Sequence, residues 1–270
     1  MAKTRPTSPR RSPTLAALWG APIGLLGGLI GLGGAEFRLP VLAGVFGYAA
    51  RRAIALNLAI SLVTVVSALL IRGGTLSLAP LLELLPVVGA MIAGAVSAAY
   101  LGTALVHRVS EQLLERVILV FLVGIGSALI VEAFLPQDVP GLLPDLPPVR
   151  LAAAVLFGLA VGLVSSLLGV AGGELIIPTL VFAFGVDIKT AGTASLLISL
   201  PTVAVGVMRH GRLGAFEDRA DIAETVAPMG AGSVVGAVAG GLLVGFVPAA
   251  ALKLLLGIIL IVSAVRIFRH

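Results

Sequence analysis

The feature that most constrains this chain is a ten-residue motif that occurs twice. Gly31-Leu-Gly-Gly-Ala-Glu-Phe-Arg-Leu-Pro40 recurs 138 residues later as Gly169-Val-Ala-Gly-Gly-Glu-Leu-Ile-Ile-Pro178. Glycine, glutamate and proline are each costly in a continuous apolar helix, because they add backbone entropy, carry a charge or remove a hydrogen-bond donor. The chain is therefore predicted to be a duplication with a broken helix in each half. The two breaks are expected to meet at a central site.

Composition places the chain in a membrane. Hydrophobic residues make up 59% and charged residues 11% of it, and its mean hydropathy is +1.14, whereas a soluble domain carries roughly 25% charged residues. Broken backbone is tolerated in hydrocarbon only inside protein or around a water-filled cavity. The chain is therefore predicted to be an all-α polytopic membrane protein. Its formal charge of +5 is better explained by loop residues that set topology than by nucleic-acid binding.

Hydrophobic stretches divide the chain into two similar halves. The prediction is a disordered cytoplasmic tail, a first transmembrane repeat, a proline-rich linker and a second transmembrane repeat, at residues 1–14, 15–134, 135–149 and 150–270. Arg72 to Ala79 and the basic stretch after Met208 are expected to be loops. Segments 37–50 and 175–186 are short for a span, so whether they cross the bilayer or re-enter is left open.

The relative orientation of the halves depends on how often each one crosses the bilayer. An odd number of crossings per half inverts the second copy. The inverted arrangement places slightly more of the 18 Lys and Arg residues in the cytoplasm than the parallel one, as the positive-inside rule favours. Asp138 and Asp145, without nearby cations, suit an external linker. We therefore predict inverted repeats with both termini in the cytoplasm.

Polar groups beside the two motifs predict an anion site. Glycines at a helix break expose backbone N–H groups, and the positive end of a helix dipole favours negative charge. Asn57, Ser61 and Thr64 share one helical face, and matching donors follow the second motif. The predicted substrate-binding residues are Gly33, Gly34, Asn57, Ser61, Thr64, Ser165, Ser166, Gly172, Gly173, Thr193, Ser195, Ser199 and Thr202.

Three charged residues of the motifs are predicted to act in coupling or gating, namely Glu36, Arg38 and Glu174. Two alternatives are open for the carboxylates, which either cap the following helix through its free N–H groups or carry a proton. Arg38 either pairs with Glu36 or lines the anion path. Hydroxyls in transmembrane helices also often bond the carbonyl four residues earlier, so any single one has a structural alternative.

These residues resemble a known family. The pattern Gly-x-x-Gly-Gly/Ala-Glu followed by proline, once per half and ahead of a Ser/Thr-bearing span, is similar to the TauE/SafE family of anion exporters. The resemblance extends from about Leu15 to Phe268. It implies a multi-pass secondary transporter in a prokaryotic plasma membrane, exporting sulfite, sulfoacetate or related two-carbon acids, with proton coupling as an option. Ala35 and Arg38 depart from the usual motif of that family.

The rival classes are an anion channel and a membrane enzyme. A channel would use similar helices with continuous conduction. An enzyme is not expected, because the three histidines lie at predicted loop edges and the sequence holds no catalytic or metal-binding constellation. No cofactor is expected. The expected partners are a small anion and the lipid bilayer, and a homodimer is compatible with the sequence, which does not specify the anion, the coupling ion or the direction of flux.

Overall fold

The computed structural model describes residues 12–105, 123–124, 126–131, 133–134, 141–168 and 171–267. This part of the chain is helical and contains no strand. Six of its helices are long and apolar enough to cross a membrane, which confirms the predicted all-α polytopic class. The amino-terminal tail up to residue 11, the polar turn around His107 and the first part of the linker lie outside the described residues.

The first four helices follow the same order in both halves. The first half contains α1 (Pro13–Ile30), α2 (Ala35–Pro40) continued by a π-helical turn (Val41–Val45), α3 (Ala50–Thr75) and α4 (Ala79–Leu105). The second half contains α5 (Pro147–Leu168), α6 (Gly173–Pro178) continued by a π-helical turn (Thr179–Ala183), α7 (Ile188–Arg212), α8 (Arg219–Leu243) and α9 (Ala249–Ile267). Another π-helical turn, Ile222–Val226, lies within α8.

Both motifs break a helix, as predicted, and glycine makes the breaks possible. Gly31 ends α1 with φ at 97°, and Gly33 and Gly34 follow with φ at 81° and 75°. In the second motif Gly172 has φ at 78° and stands directly before α6. These are left-handed conformations that cost residues with a Cβ energy. The chain therefore turns sharply between α1 and α2, and again before α6.

The short helices turn back along the helices that precede them. Val41 and Leu42, in the first π-helical turn, share a buried cluster with Ala16 of α1 and Ala53 of α3. In the second half the N–H group of Leu142 donates to the Phe182 carbonyl at 2.9 Å, which brings the end of the short segment next to the linker before α5. Each motif is therefore the tip of a helical hairpin.

Glycine stripes join the two halves through two reciprocal helix pairs. Gly20, Gly24 and Gly28 of α1 face Met229, Ser233 and Ala237 of α8, and these positions advance in step, so the two helices run parallel. In the same way α4 packs parallel to α5, where Gly158 and Gly162 face Met91 and Ala95. Small residues at this spacing let backbones approach closely in lipid. The first helix of each half thus packs against the fourth helix of the other half.

One end of the bundle carries an ion pair between the halves. Tyr48, just before α3, donates to Asp221 at 3.0 Å, and Arg52 forms an ion pair with the same carboxylate at 2.8 Å. Arg52 also donates to the Ala215 carbonyl just after α7. This end, where α1 begins and α7 ends, is called the basic end.

The opposite end, called the linker end, is also tied between the halves. Thr75 at the end of α3 donates to the Gly241 carbonyl of α8 at 3.0 Å. Lys189 at the start of α7 donates to the Gly245 carbonyl at 3.2 Å. Asp145, immediately before α5, lies at this end with its side chain 94% exposed. The halves are thus held together at both ends.

Two predicted loops begin later than expected, at residues 76 and 213, because the helices before them are longer. Arg72 lies inside α3, which ends at Thr75, and its side chain is fully buried. The basic stretch after Met208 was expected to be a loop, but α7 continues to Arg212. In both places a charged residue was taken to end a span. Arg72 stays inside the bundle because a guanidinium with enough acceptors around it can be buried, whereas α7 simply continues beyond its apolar part, with Arg212 exposed.

Candidate functional site

The two breaks lie against each other in the centre of the molecule. A Cβ placed on Gly173 would lie 3.0 Å from both the Cα and the carbonyl oxygen of Leu32, and 3.2 Å from the Ser195 hydroxyl. A Cβ on Gly33 would lie 3.7 Å from the Cβ of Ala171. Backbone therefore faces backbone where the motifs meet, with almost no side-chain volume between them.

In the first motif a buried arginine ties the break to α3. Arg38 is fully buried, and its guanidinium donates to the Ser61 hydroxyl at 3.0 Å and to the Gly33 carbonyl. The Asn57 side-chain amide donates to the Ala35 carbonyl at 3.0 Å. Among the described residues Arg38 makes no contact ion pair with Glu36, although the two charges interact at longer range. Arg38 therefore braces the motif, and its Nε has no hydrogen-bond partner in the described structure.

In the second motif a serine hydroxyl ties the break to α7 without an arginine. The Ser199 hydroxyl donates to the Ala171 carbonyl at 2.8 Å. Ala171 stands 138 residues after Gly33, and Ser199 stands 138 residues after Ser61. Ile176 occupies the position that corresponds to Arg38 and is also buried. The carbonyl at this position thus accepts a hydrogen bond in both halves. In the second half the donor is the Ser199 hydroxyl, and in the first half it is the Arg38 guanidinium.

The two motif carboxylates face the same centre. Glu36 and Glu174 lie in the first turns of α2 and α6, where the positive end of the helix dipole favours negative charge. They interact electrostatically with each other. The residues at the cap positions are Gly34 and Gly172, with no side-chain cap hydrogen bond. The Glu36 Oε1 atom is buried without a hydrogen-bond partner in the described part of the chain.

All three predicted threonine donors form hydrogen bonds within their own helices. Thr64 donates to the Ile60 carbonyl at 2.8 Å, and Thr202 donates to the Ile198 carbonyl at 3.1 Å. Thr193 donates to the Lys189 carbonyl at 3.0 Å. These are the bonds to the carbonyl four residues earlier that hydroxyls in transmembrane helices often make. Because the hydroxyl proton is used within the helix, each oxygen can only accept further hydrogen bonds. These threonines are therefore poor ligands for an anion.

Ser195 is the exception among the hydroxyls of α7. Its Oγ atom is buried and has no hydrogen-bond partner within the described residues. It lies beside Gly173, where the two breaks meet. A buried hydroxyl without a partner costs free energy unless something binds it. Ser195 is therefore the predicted donor that the structure places best to bind a ligand at the centre.

The remaining predicted serines lie at the end of α5. Ser165 is buried, and its Cβ lies 3.8 Å from the position of a Cβ on Gly172. Ser166 belongs to the last turn of α5, and its side chain lies outside the described part of the structure. Ser165 is thus brought to the second motif, as the sequence predicted.

Sequence reasoning missed Arg72. Its guanidinium makes four hydrogen bonds, to the Thr193 hydroxyl and to the carbonyls of Gly28, Leu29 and Lys189, at 2.7 to 3.0 Å. It therefore satisfies the carbonyls at the end of α1, which the break leaves without helical partners. The spacing could have shown that Arg72 belongs to α3, because it lies on the same helical face as Asn57, Ser61 and Thr64.

The fold defines a polytopic membrane protein in which two helix breaks meet in the interior. The chain belongs to the TauE/SafE family, because the family model described as Sulfite exporter TauE/SafE matches residues 1–129 and 154–270. The predicted resemblance is therefore confirmed. The family is one of exporter-type transporters for sulfite and related sulfur anions rather than of enzymes. No curated protein and no solved structure matches this chain.

Proposed function

We propose that the protein is a secondary transporter that exports small organic or sulfur-containing anions, such as sulfite, sulfoacetate or related two-carbon acids. The observation that carries this proposal is the meeting of the two glycine breaks beside the buried hydroxyl of Ser195, which has no hydrogen-bond partner among the residues that the structure describes. Glycine lets a ligand approach the backbone closely. The anion then binds between the motifs.

The donors at this point suit an oxyanion. The first turns of α2 and α6 have backbone N–H groups without helical partners, and both helix dipoles favour negative charge there. Ser195 adds a hydroxyl, and Arg38 adds a positive charge fixed by Ser61. Sulfite and sulfonate carry three acceptor oxygens, so several of these donors can bind one ligand at once.

Proton coupling is proposed for the carboxylate pair. Glu36 and Glu174 interact with each other beside the proposed site. Two negative charges in a medium of low dielectric constant repel each other strongly, and an anion bound between them adds to that repulsion. A proton taken up by this pair would relieve the repulsion, so protonation of the pair and anion binding would favour each other.

We also propose that the halves are inverted repeats, divided as in the sequence prediction, in a prokaryotic plasma membrane with both termini cytoplasmic. Contacts between α3 and α7 support inversion, because Leu58 lies beside Gly206 and Arg72 bonds to Thr193, so these corresponding helices run antiparallel. The clustering of arginines at the basic end supports a cytoplasmic assignment of that end.

A screen of small anions tests the proposed function. The melting temperature of the purified protein is measured with sulfite, sulfoacetate, acetate and chloride, and uptake into proteoliposomes is measured for each anion that raises it. We expect sulfite or sulfoacetate to stabilise the protein and to show saturable flux. If none of these anions stabilises the protein, the proposal is overturned. If the purified protein instead produces single-channel currents, it is an anion channel and not a transporter.

A matched pair of glycine variants locates the site. In Gly173→Ala the new Cβ presses on Leu32 and Ser195, so the stabilisation by anion should be lost. In Gly89→Ala the Cβ of α4 meets nothing within 4 Å, so the stabilisation should be retained. If Gly173→Ala binds anion as the wild type does, the site lies elsewhere.

A further inference from the structure

A small cavity lies beside the second motif at the basic end. Its volume is about 50 Å³, and its lining residues are Leu58, Ala99, Ser165, Thr202, Val205, Gly206, Arg209 and His210. One water needs roughly 10–15 Å³ of such space, so several waters or one small oxyanion group fit. Ser165 connects the cavity to the proposed site, because it also lies next to Gly172.

The charge around this cavity suits an anion. Arg209 lines it and carries a permanent positive charge. Within the described part of the chain, the guanidinium makes one hydrogen bond, to the Ala99 carbonyl at 3.5 Å, out of the five N–H donors that an arginine has. No carboxylate belongs to the described residues that line the cavity. Arg209 is therefore a half-buried cation with donors available to a ligand.

A second cavity, at the linker end, has the opposite charge. Its volume is about 510 Å³, and its lining includes Glu83, Asp145 and Asp187 together with Arg150. Arg150 is already paired with Asp145 at 3.0 Å. Among the described residues that line this second cavity the carboxylates exceed the cations, so it attracts an anion less than the cavity at the basic end does.

We propose that the cavity at the basic end is the loading site for a small oxyanion or sulfonate, and that Arg209 determines its affinity. This inference rests on the proposed function. The guanidinium binds two oxygens of the anion through charge-assisted hydrogen bonds, and Ser165 leads from the cavity to the N–H groups of α6. The anion thus loses part of its water shell in this cavity and then moves from the basic end to the motifs.

Arg209→Gln and Arg212→Gln form the first test. Both remove one positive charge from the last turn of α7, but Arg212 is exposed and does not line the cavity. The dissociation constant for sulfoacetate, from melting temperatures at increasing concentration, should rise at least about tenfold in Arg209→Gln, as the loss of a charged hydrogen bond predicts. It should change less than about twofold in Arg212→Gln, which loses only a screened charge.

A cysteine at Val205 gives a second measurement that does not depend on the stability of an arginine variant. The native chain has no cysteine, so Val205→Cys places a single thiol in the wall of the cavity. Sulfoacetate, which does not attack thiol reagents as sulfite does, should slow the labelling of this thiol. The protection should disappear when Arg209→Gln is added.

The outcomes separate this inference from the proposed function. Anion binding by the wild type, with Arg209→Gln equal to Arg212→Gln, would overturn the loading site and leave the proposed function standing. Unprotected labelling at Val205→Cys under saturating sulfoacetate would do the same. Failure of the wild type to bind any of the screened anions would overturn both proposals.

Discussion

Arg38 and Ile176 occupy corresponding buried positions in the two halves, but only one of them needs hydrogen-bond acceptors. Both are buried, and each follows its motif glutamate by two residues. Arg38 needs acceptors because a buried charge is costly when it is left unpaired, and it finds them in Ser61 and the Gly33 carbonyl. Ile176 needs none, so Ser199 is free to bond the corresponding Ala171 carbonyl itself.

This difference predicts unequal effects of two serine variants. Ser61→Ala removes an acceptor from a buried guanidinium, which should lower the free energy of unfolding by about 1.5 to 3 kcal/mol. Ser199→Ala removes a neutral hydrogen bond and should cost about 1 kcal/mol. Melting temperatures of the two purified variants in one detergent measure the difference. Equal losses would mean that Arg38 does not depend on Ser61.

The sequence predicts which residues are polar and on which face they lie, but not what they bond. Asn57, Ser61 and Thr64 were predicted to share a face from their spacing. Whether each hydroxyl meets a ligand, a motif carbonyl or its own helix depends on the rotation of α3 against the rest of the bundle. The acceptors of Arg72, such as Gly28 and Lys189, lie 44 and 117 residues away along the chain, beyond any local pattern.

At the scale of helices, the glycine stripes determine which helices pack closely against each other. The spacing of Gly20, Gly24 and Gly28 predicts close packing, and the structure places α8 against them. The sequence could not name the partner, because a stripe of small residues accepts any complementary stripe. The helix breaks were easier to predict, since glycine and proline act locally on their own backbone.

A pair of alanine variants in α8 tests the packing. In Gly236→Ala the new Cβ would fall inside contact distance of the Ala21 carbonyl oxygen, whereas at Gly230 nothing lies within 4 Å. Gly236→Ala should therefore force α1 and α8 apart and lower the melting temperature with or without anion. Gly230→Ala should leave it unchanged or raise it slightly, since alanine is up to about 1 kcal/mol better than glycine inside a helix. A neutral Gly236→Ala would show that the contact is loose.

At the scale of the whole molecule, several arginines lie at one end. Arg52, Arg209 and Arg212 lie at the basic end, and Asp145 lies exposed at the linker end. The all-α polytopic class and the two breaks could be predicted from hydropathy and the repeated motif. The contact of Tyr48 and Arg52 with Asp221 could not, because it joins residues 173 and 169 positions apart.

The sidedness of the membrane follows as a prediction. Single cysteines are introduced as Asp145→Cys and Arg212→Cys into the cysteine-free chain and labelled in intact cells with an impermeant thiol reagent. Asp145→Cys should react from outside, whereas Arg212→Cys should react only after the membrane is opened, because the basic end is expected in the cytoplasm. Labelling of both from the same side would exclude the inverted arrangement.

The exchange of helices between the halves limits how this protein can move. Because α1 is locked to α8 and α4 to α5 by contacts that leave no room for a Cβ, each tight pair contains one helix from either copy of the repeat. Transporters built from repeats often work by rocking one rigid body against another. We expect a rocking motion of this kind to move hybrids here, with a boundary that runs through both copies rather than between them. In such a motion the units that the sequence repeats would not be the units that swing.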